Sequence, residues 1–223
     1  MAKVGLMLWL ALAATALFPS SATLAQAAAA PWSADILRQE RSWYASEEAR
    51  RLAGIVVLHQ SREGGWPKNT ALSAPPVPEP DPALANTIDN NATTLPLAFL
   101  ARVIAAGDAT PKAAFDRGLD YLLAAQYPGG GWPQFYPLRG GYHDQITFND
   151  DAMIRVMRLL RDIASGEAPY GFVEPARRQR AADAVSRGVA TILQTQVRRN
   201  GALTVWCAQH DATTLQPAWG RRF

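Results

Sequence analysis

The feature that most constrains this chain is an internal repeat. Gln60 is followed by Gly64-Gly65-Trp66-Pro67, and Gln126 by Gly130-Gly131-Trp132-Pro133, so both copies run six residues from Gln to Trp. The tryptophans lie 66 residues apart, at 66 and 132, and Asp89 and Asp151 lie 62 apart. A fainter third copy holds Gln196, Asn200-Gly201 and Trp206. Helix-period stripes precede each Gly/Trp turn, and a long loop leads from it to the next helix. A period near 70 built in this way predicts stacked helical hairpins.

The helices can be read one by one. Ser46 is a candidate N-cap, Glu47 and Glu48 suit the first turn through the helix dipole, and Ala49, Leu52, Ala53 and Val56 form one stripe. A second helix spans about residues 92–106, with Leu95, Phe99 and Val103 inward. Thr110-Pro111 reads as the cap and first position of a third, carrying Phe115, Leu119 and Leu122. Asn149 or Asp150 is expected to cap a fourth, with Ile154, Met157 and Leu160 facing the core, and Glu174-Pro175 to open a fifth. Residues 70–86 are proline-rich and aperiodic, and residues 128–149 are broken by Gly and Pro, so both are long loops. Only residues 202–206 hint at strand alternation. The fold class is therefore mainly α, with the long loops on one face.

Residues 1–30 read as a secretory signal peptide: Lys3, an apolar run from Val4 to Leu17, and small residues around Ala25-Gln26-Ala27. The run is short for a membrane span, and no other apolar segment approaches one. Residues 31–223 suit one domain, secreted or periplasmic, with no membrane attachment after cleavage. A single cysteine, Cys207, rules out an internal disulfide. Most basic residues are arginines, which suit carboxylate or phosphate recognition but equally serve solvated helix faces. No basic run is interleaved with aromatics, so a nucleic-acid partner is not supported.

Chemistry concentrates in two acidic clusters, Asp89-Asn90-Asn91 and Asn149-Asp150-Asp151, each at the start of a returning helix. Equivalent loops in a ring of hairpins emerge on one face, so Asp89, Asn90, Asp150 and Asp151 should converge on one rim. Their oxygens are hard donors suited to calcium, and the spacing is not an EF-hand. Ordinary helix capping explains the same residues. Trp66 and Trp132 read as packing rather than sugar-stacking residues. Lys68, Arg139 and Tyr142 follow the turns and could meet an anionic ligand or simply face solvent. His143 beside Asp144 invites an acid–base reading without a nucleophile to serve, and His59 and His210 form no zinc spacing.

Five blocks, in order, closely resemble the pectate lyases of polysaccharide lyase family 10. They are Gly64-Gly65-Trp66-Pro67-Lys68-Asn69, Thr87-Ile88-Asp89-Asn90-Asn91-Ala92-Thr93, Gly130-Gly131-Trp132-Pro133-Gln134, Thr147-Phe148-Asn149-Asp150-Asp151-Ala152-Met153 and Trp206-Cys207-Ala208-Gln209-His210-Asp211. The resemblance implies an (α/α) toroid and calcium-dependent β-elimination of polygalacturonate by a protein that is monomeric when complete. It puts the family's catalytic aspartates, which bind calcium and substrate carboxylate, on Asp89 and Asp151. Asn90 and Asp150 join the metal set, and Lys68, Asn90, Arg139 and Tyr142 the substrate-binding set. The family's arginine base lies downstream of the Trp206–Asp211 block, beyond Phe223, and neither Arg221 nor Arg222 matches it. The chain is thus expected to be the N-terminal two-thirds of such a lyase, incomplete at its C-terminus. Two alternatives stand beside this: a non-catalytic pectate binder, and a terpene-cyclase-like helical toroid, suggested by the similarity of Arg117-Gly118 through Gln126 to Gly131-Trp132 to a Gln-Trp repeat.

Overall fold

Residues 32–220 are described in a computed structural model. The expected signal segment, with Arg221 and Arg222, lies outside them. Two 3-10 turns, Ala34–Arg38 and Arg41–Ala45, lead into α1 (Glu47–Leu58), followed by α2 (Thr94–Ala105), α3 (Lys112–Ala124), α4 (Ala152–Ser165) and α5 (Pro175–Thr195). The strands are two residues each: β1 (Ile146–Thr147) pairs with β4 (Gln209–His210), and β2 (Arg198–Arg199) with β3 (Ala202–Leu203). The mainly helical class read from the sequence holds. None of the described helices is long and apolar enough to cross a membrane.

Packing follows the apolar faces. The α2 helix is buried on almost every side, through Leu95, Leu97, Phe99, Leu100, Val103 and Ile104, which marks it as an inner helix. It packs on α1, α3 and α4, and α4 packs along α5. The α1 helix starts as expected, with Ser46 Oγ accepting the Ala49 N–H at 3.1 Å. The α3 start differs: Pro111 occupies the cap position and Thr110 makes no side-chain cap. The Thr110 N–H is bonded instead to Asp108 Oδ1 at 2.9 Å, in a local turn that competes with capping.

The repeat is structural as well as textual. The Trp66 indole is fully buried and donates to the Val56 carbonyl at 2.8 Å, ten residues back in α1. Trp132 does the same to Leu122 in α3, also at 2.8 Å. The second helix after each turn then closes it. Gln60 Nε2 donates to Gly64 O at 2.9 Å and to Ala114 O of α3 at 2.8 Å, while Gln126 Nε2 reaches Gly130 O and Ala184 O of α5, both at 2.8 Å. Arg117 and Arg187 return bonds to the two glutamine Oε1 atoms at 2.6 and 2.5 Å. Gly118 and Gly188 let these helices approach, since a Cβ would sit 2.7 Å from the Trp66 ring in one case and 2.9 Å from Met157 Sδ in the other.

The third copy is looser. Trp206 donates to Ile192 O of α5 at 2.7 Å but remains 41 % exposed. The β2–β3 hairpin, turned by Asn200 and Gly201 at positive φ, lies between Gln196 and this tryptophan and lengthens the interval.

Candidate active site

The two acidic clusters form 3-10 turns at the starts of α2 and α4, and neither supplies a side-chain helix cap. The capping explanation therefore fails for both. In each turn the last two residues are left-handed: Asn90 and Asn91 have φ 50° and 62°, and Asp150 and Asp151 have φ 52° and 58°. Such conformations are uncommon outside glycine and are tolerated best by Asn and Asp. Two consecutive ones, occurring twice, give the two turns the same backbone shape.

This geometry corrects the sequence match. Thr87 N–H bonds Trp66 O, and Thr147 N–H bonds Trp132 O, so Thr87 is equivalent to Thr147. Asp89 therefore corresponds to Asn149, and Asp151 to Asn91; the pairing of Asp89 with Asp151 as matched positions was off by two. The residue 89–91 turn packs against α4, the helix that the second cluster opens.

Asp89 is the centre of the first cluster. Its carboxylate is nearly buried, and Oδ2 accepts from Lys68 Nζ at 2.6 Å and from Gln134 Nε2 at 2.7 Å. Lys68 follows Trp66-Pro67, and Gln134 follows Trp132-Pro133, so repeat-equivalent residues from two turns meet on one oxygen. The backbone is fixed too. Thr87 Oγ1 donates to Gln134 O at 2.6 Å while accepting the Asp89 N–H at 3.1 Å, and Ile88 N–H reaches Gln134 O. Charge-assisted bonds in so shielded a place are strong and directional. Gln134 was quoted in the sequence blocks without a role, although its repeat equivalence to Lys68 was a usable signal.

Beyond Gln134 the network continues to His143, whose Nδ1 lies 2.9 Å from Gln134 Oε1. With Gln134 Nε2 given to Asp89, the network assigns the proton to Nδ1. Burial lowers the His143 pKa, and the Lys68 and Arg139 charges lower it further. The sign follows. Its neutral form contributes stability that is fully present above about pH 6.5 and lost as pH falls through the lowered folded value. Proton NMR of the His143 ring should give a midpoint below 6.5; a midpoint at or above 6.5 would contradict this network.

The remaining sequence candidates fall in different places. Asn90 Nδ2 donates to Asn69 Oδ1 at 3.0 Å, beside a polar cavity of about 380 Å³ that Lys68 and Thr70 also line. The Asp151 carboxylate is 68 % exposed and 3.8 Å from Arg155, while Asp150 accepts from Asn149 at 2.5 Å. Arg139 is already engaged. It donates to Pro82, Ala83 and Ala85 carbonyls at 2.7–2.9 Å and stacks 4.0 Å from the Phe135 ring, pinning the proline-rich loop. Asp144 accepts the Arg139 and Gly140 N–H groups at 2.9 Å rather than serving His143. Tyr142 stacks 3.9 Å from the His143 ring. His59 bonds a carbonyl and buried His210 ties its own loop, so neither is poised for metal.

A family model described as pectic acid lyase matches residues 60–223. The chain belongs to the pectic acid lyase family. A family 10 polysaccharide lyase from Cellvibrio cellulosa is 35 % identical, with a TM-score of 0.70 over 81 % of this chain and 57 % of that one. An aspartate-to-alanine mutant of a Cellvibrio cellulosa family 10 lyase, in complex with trigalacturonic acid, gives the same identity and TM-score over 85 % and 60 %. The chain thus spans about three-fifths of those lyases' length. No curated protein matches it. The family lyases share the helical toroid, and this membership displaces the terpene-cyclase alternative.

Proposed function

We propose that this chain belongs to an exported pectate lyase that cleaves polygalacturonate by calcium-dependent β-elimination. The observation that carries the reading is Asp89: a shielded carboxylate, released from any capping duty and held on one oxygen by Lys68 and Gln134, in a member of the pectic acid lyase family. The Cellvibrio complex with trigalacturonic acid supports the substrate class. The apolar run of residues 4–17 supports export.

Elimination removes the proton on C5 of a uronate, sends the bond's electrons towards the neighbouring carboxylate, and expels the C4 oxygen. The carboxylate must therefore be held while negative charge grows on it. The donor chemistry fits calcium: Asp150, Asp151 and Asn90 offer hard oxygens, and Asp151 is open to solvent. No three His, Cys, Asp or Glu side chains cluster among the described residues, and Asn90, Asp150 and Asp151 would need water and uronate oxygens to complete a calcium shell. A calcium held there would stabilise the enolate-like charge as a Lewis acid. Asp89 keeps the Lys68 ammonium fixed at the rim, and that positive charge favours an anionic polymer. The Pro82–Ala85 loop, tethered by Arg139, walls this face.

The test is polygalacturonate with and without calcium, following release of 4,5-unsaturated ends in the ultraviolet and, separately, binding. Calcium-linked binding that a chelator abolishes is expected of this chain, and calcium-dependent product of a protein that also carries the family's arginine base. Calcium-linked binding without product from a protein that carries that base would favour the non-catalytic binder instead. Neither binding nor product at any calcium concentration would overturn the proposal.

A further inference from the structure

The proline-rich loop has few means of holding itself in place. Five of the eight residues from Pro75 to Pro82 are prolines, which have no N–H to donate, so the loop's end is tied from outside. Two residues tie it. Arg139 donates to Pro82 O, Ala83 O and Ala85 O at 2.7–2.9 Å, and the carbonyl between them, Leu84 O, accepts the Lys68 N–H at 2.9 Å. Four consecutive carbonyls are thus shared between one guanidinium and the backbone of the residue whose ammonium grips Asp89. A planar fork can cover three carbonyls at once; a lysine ammonium is a compact point charge and does not hold the same set.

The two residues meet a second time on Phe135. This ring is buried, and both cations lie over it, the Arg139 guanidinium at 4.0 Å from its centroid and Lys68 Nζ at 5.2 Å. Such contacts strengthen where water is excluded. Phe135 is fixed in turn by a backbone bridge to Thr87, and Tyr136 N–H bonds Asn86 O. Asp144 holds the backbone end of the fork, accepting the N–H groups of Arg139 and Gly140. Arg139 therefore reaches Lys68 by two routes, the loop carbonyls and a shared ring, and neither passes through a ligand.

Resting on the proposed function, we infer that Arg139 is a positioning residue of the site. Its guanidinium fixes the loop that holds the Lys68 backbone and shares the ring that the Lys68 ammonium faces. Through Lys68 it sets the bond on Asp89 Oδ2. Arg139 then serves the site indirectly, in place of the substrate contact expected from its sequence position.

The experiment compares the full chain as wild type, Arg139→Lys and Arg139→Ala, by amide hydrogen exchange and by polygalacturonate binding in calcium. Arg139 is exposed, so both variants should fold. The Lys68 amide should exchange about tenfold faster in both, while the buried amides of α2 and α4 keep their wild-type rates. Binding should weaken about three- to tenfold in both, the worth of about one hydrogen bond. Arg139→Lys separates the roles, because it keeps the positive charge that a direct contact with the polymer would use. If wild type binds and either variant binds equally well, or if the Lys68 amide keeps its wild-type rate, the positioning role is wrong and the proposed function stands. A uniform rise in exchange across α2 and α4 would also overturn it, since general destabilisation produces that pattern. If wild type binds no polygalacturonate, the proposed function falls, and the Lys68 exchange rate still decides whether Arg139 positions Lys68.

Discussion

Asp89→Ala will destabilise the chain by about 3–5 kcal/mol and weaken its calcium-dependent binding of polygalacturonate. The size follows from what is removed. Asp89 is the shared acceptor of Lys68 at 2.6 Å and Gln134 at 2.7 Å, in a place where both ionic side chains are largely shielded. Truncating one member of a shielded, hydrogen-bonded charge pair within a chain is costly because it strands the other charge. Here that charge is the Lys68 ammonium, which would face the Phe135 ring at 5.2 Å with no anion beside it. Asp89→Asn separates charge from shape, because its oxygen still accepts a hydrogen bond while the negative charge is gone. It should lose less stability than Asp89→Ala, because the hydrogen bonds are kept, and still bind poorly. A double-mutant cycle with Lys68→Met should give a coupling on the order of 1–3 kcal/mol. Asp89→Ala with unchanged calcium-linked binding would remove this cluster from the site.

The second large effect is on folding. Trp132→Ala should destabilise the chain by about 3–5 kcal/mol, as large aromatic truncations in sealed cores do. For a chain of this size that is a fall in melting temperature on the order of 10 °C. Trp132 has no solvent exposure, contacts Gly188 of α5, and its indole N–H is satisfied only by Leu122 O. Trp206 provides the internal control. It makes the same kind of bond, to Ile192 O, but is 41 % exposed, so Trp206→Ala should cost about 1 kcal/mol. Equal losses from the two substitutions, measured by denaturant unfolding, would show that burial is not what separates the copies.

Much of the fold was legible because the repeat is a repetition of chemistry. Gln, Gly and Trp recur at fixed intervals since each has one job in the turn: the amide bridges two helices, the left-handed glycine clears a carbonyl, and the indole fills the gap. Helix stripes and the Ser46 cap are local, and a window of sequence contains them. The site was less legible because it is assembled by register. Counting carboxylates matched Asp89 with Asp151, but the backbone bonds of Thr87 to Trp66 and Thr147 to Trp132 match Asp151 with Asn91. Gln134 was overlooked since an uncharged amide signals nothing until its neighbour is a buried carboxylate. Arg139 looked available in sequence, yet three loop carbonyls more than fifty residues away already use its guanidinium. No periodicity encodes such contacts.

The glutamine straps bear on how motion travels through the molecule. Each turn is completed by the second helix after it, so no hairpin owns all of its own bonds, and neighbouring units must open and close together. Suppose α5 lifts away briefly. Gln126 then loses its hold on Ala184, Arg187 releases Gln126, and Gly188 no longer seals Trp132. Gln134 stands two residues beyond that tryptophan, with its amide on Asp89. A breathing event at the outer helix would thus be felt as a loosened grip on a carboxylate it never touches, making α5 a lever on the precision of the site as well as a wall of the core.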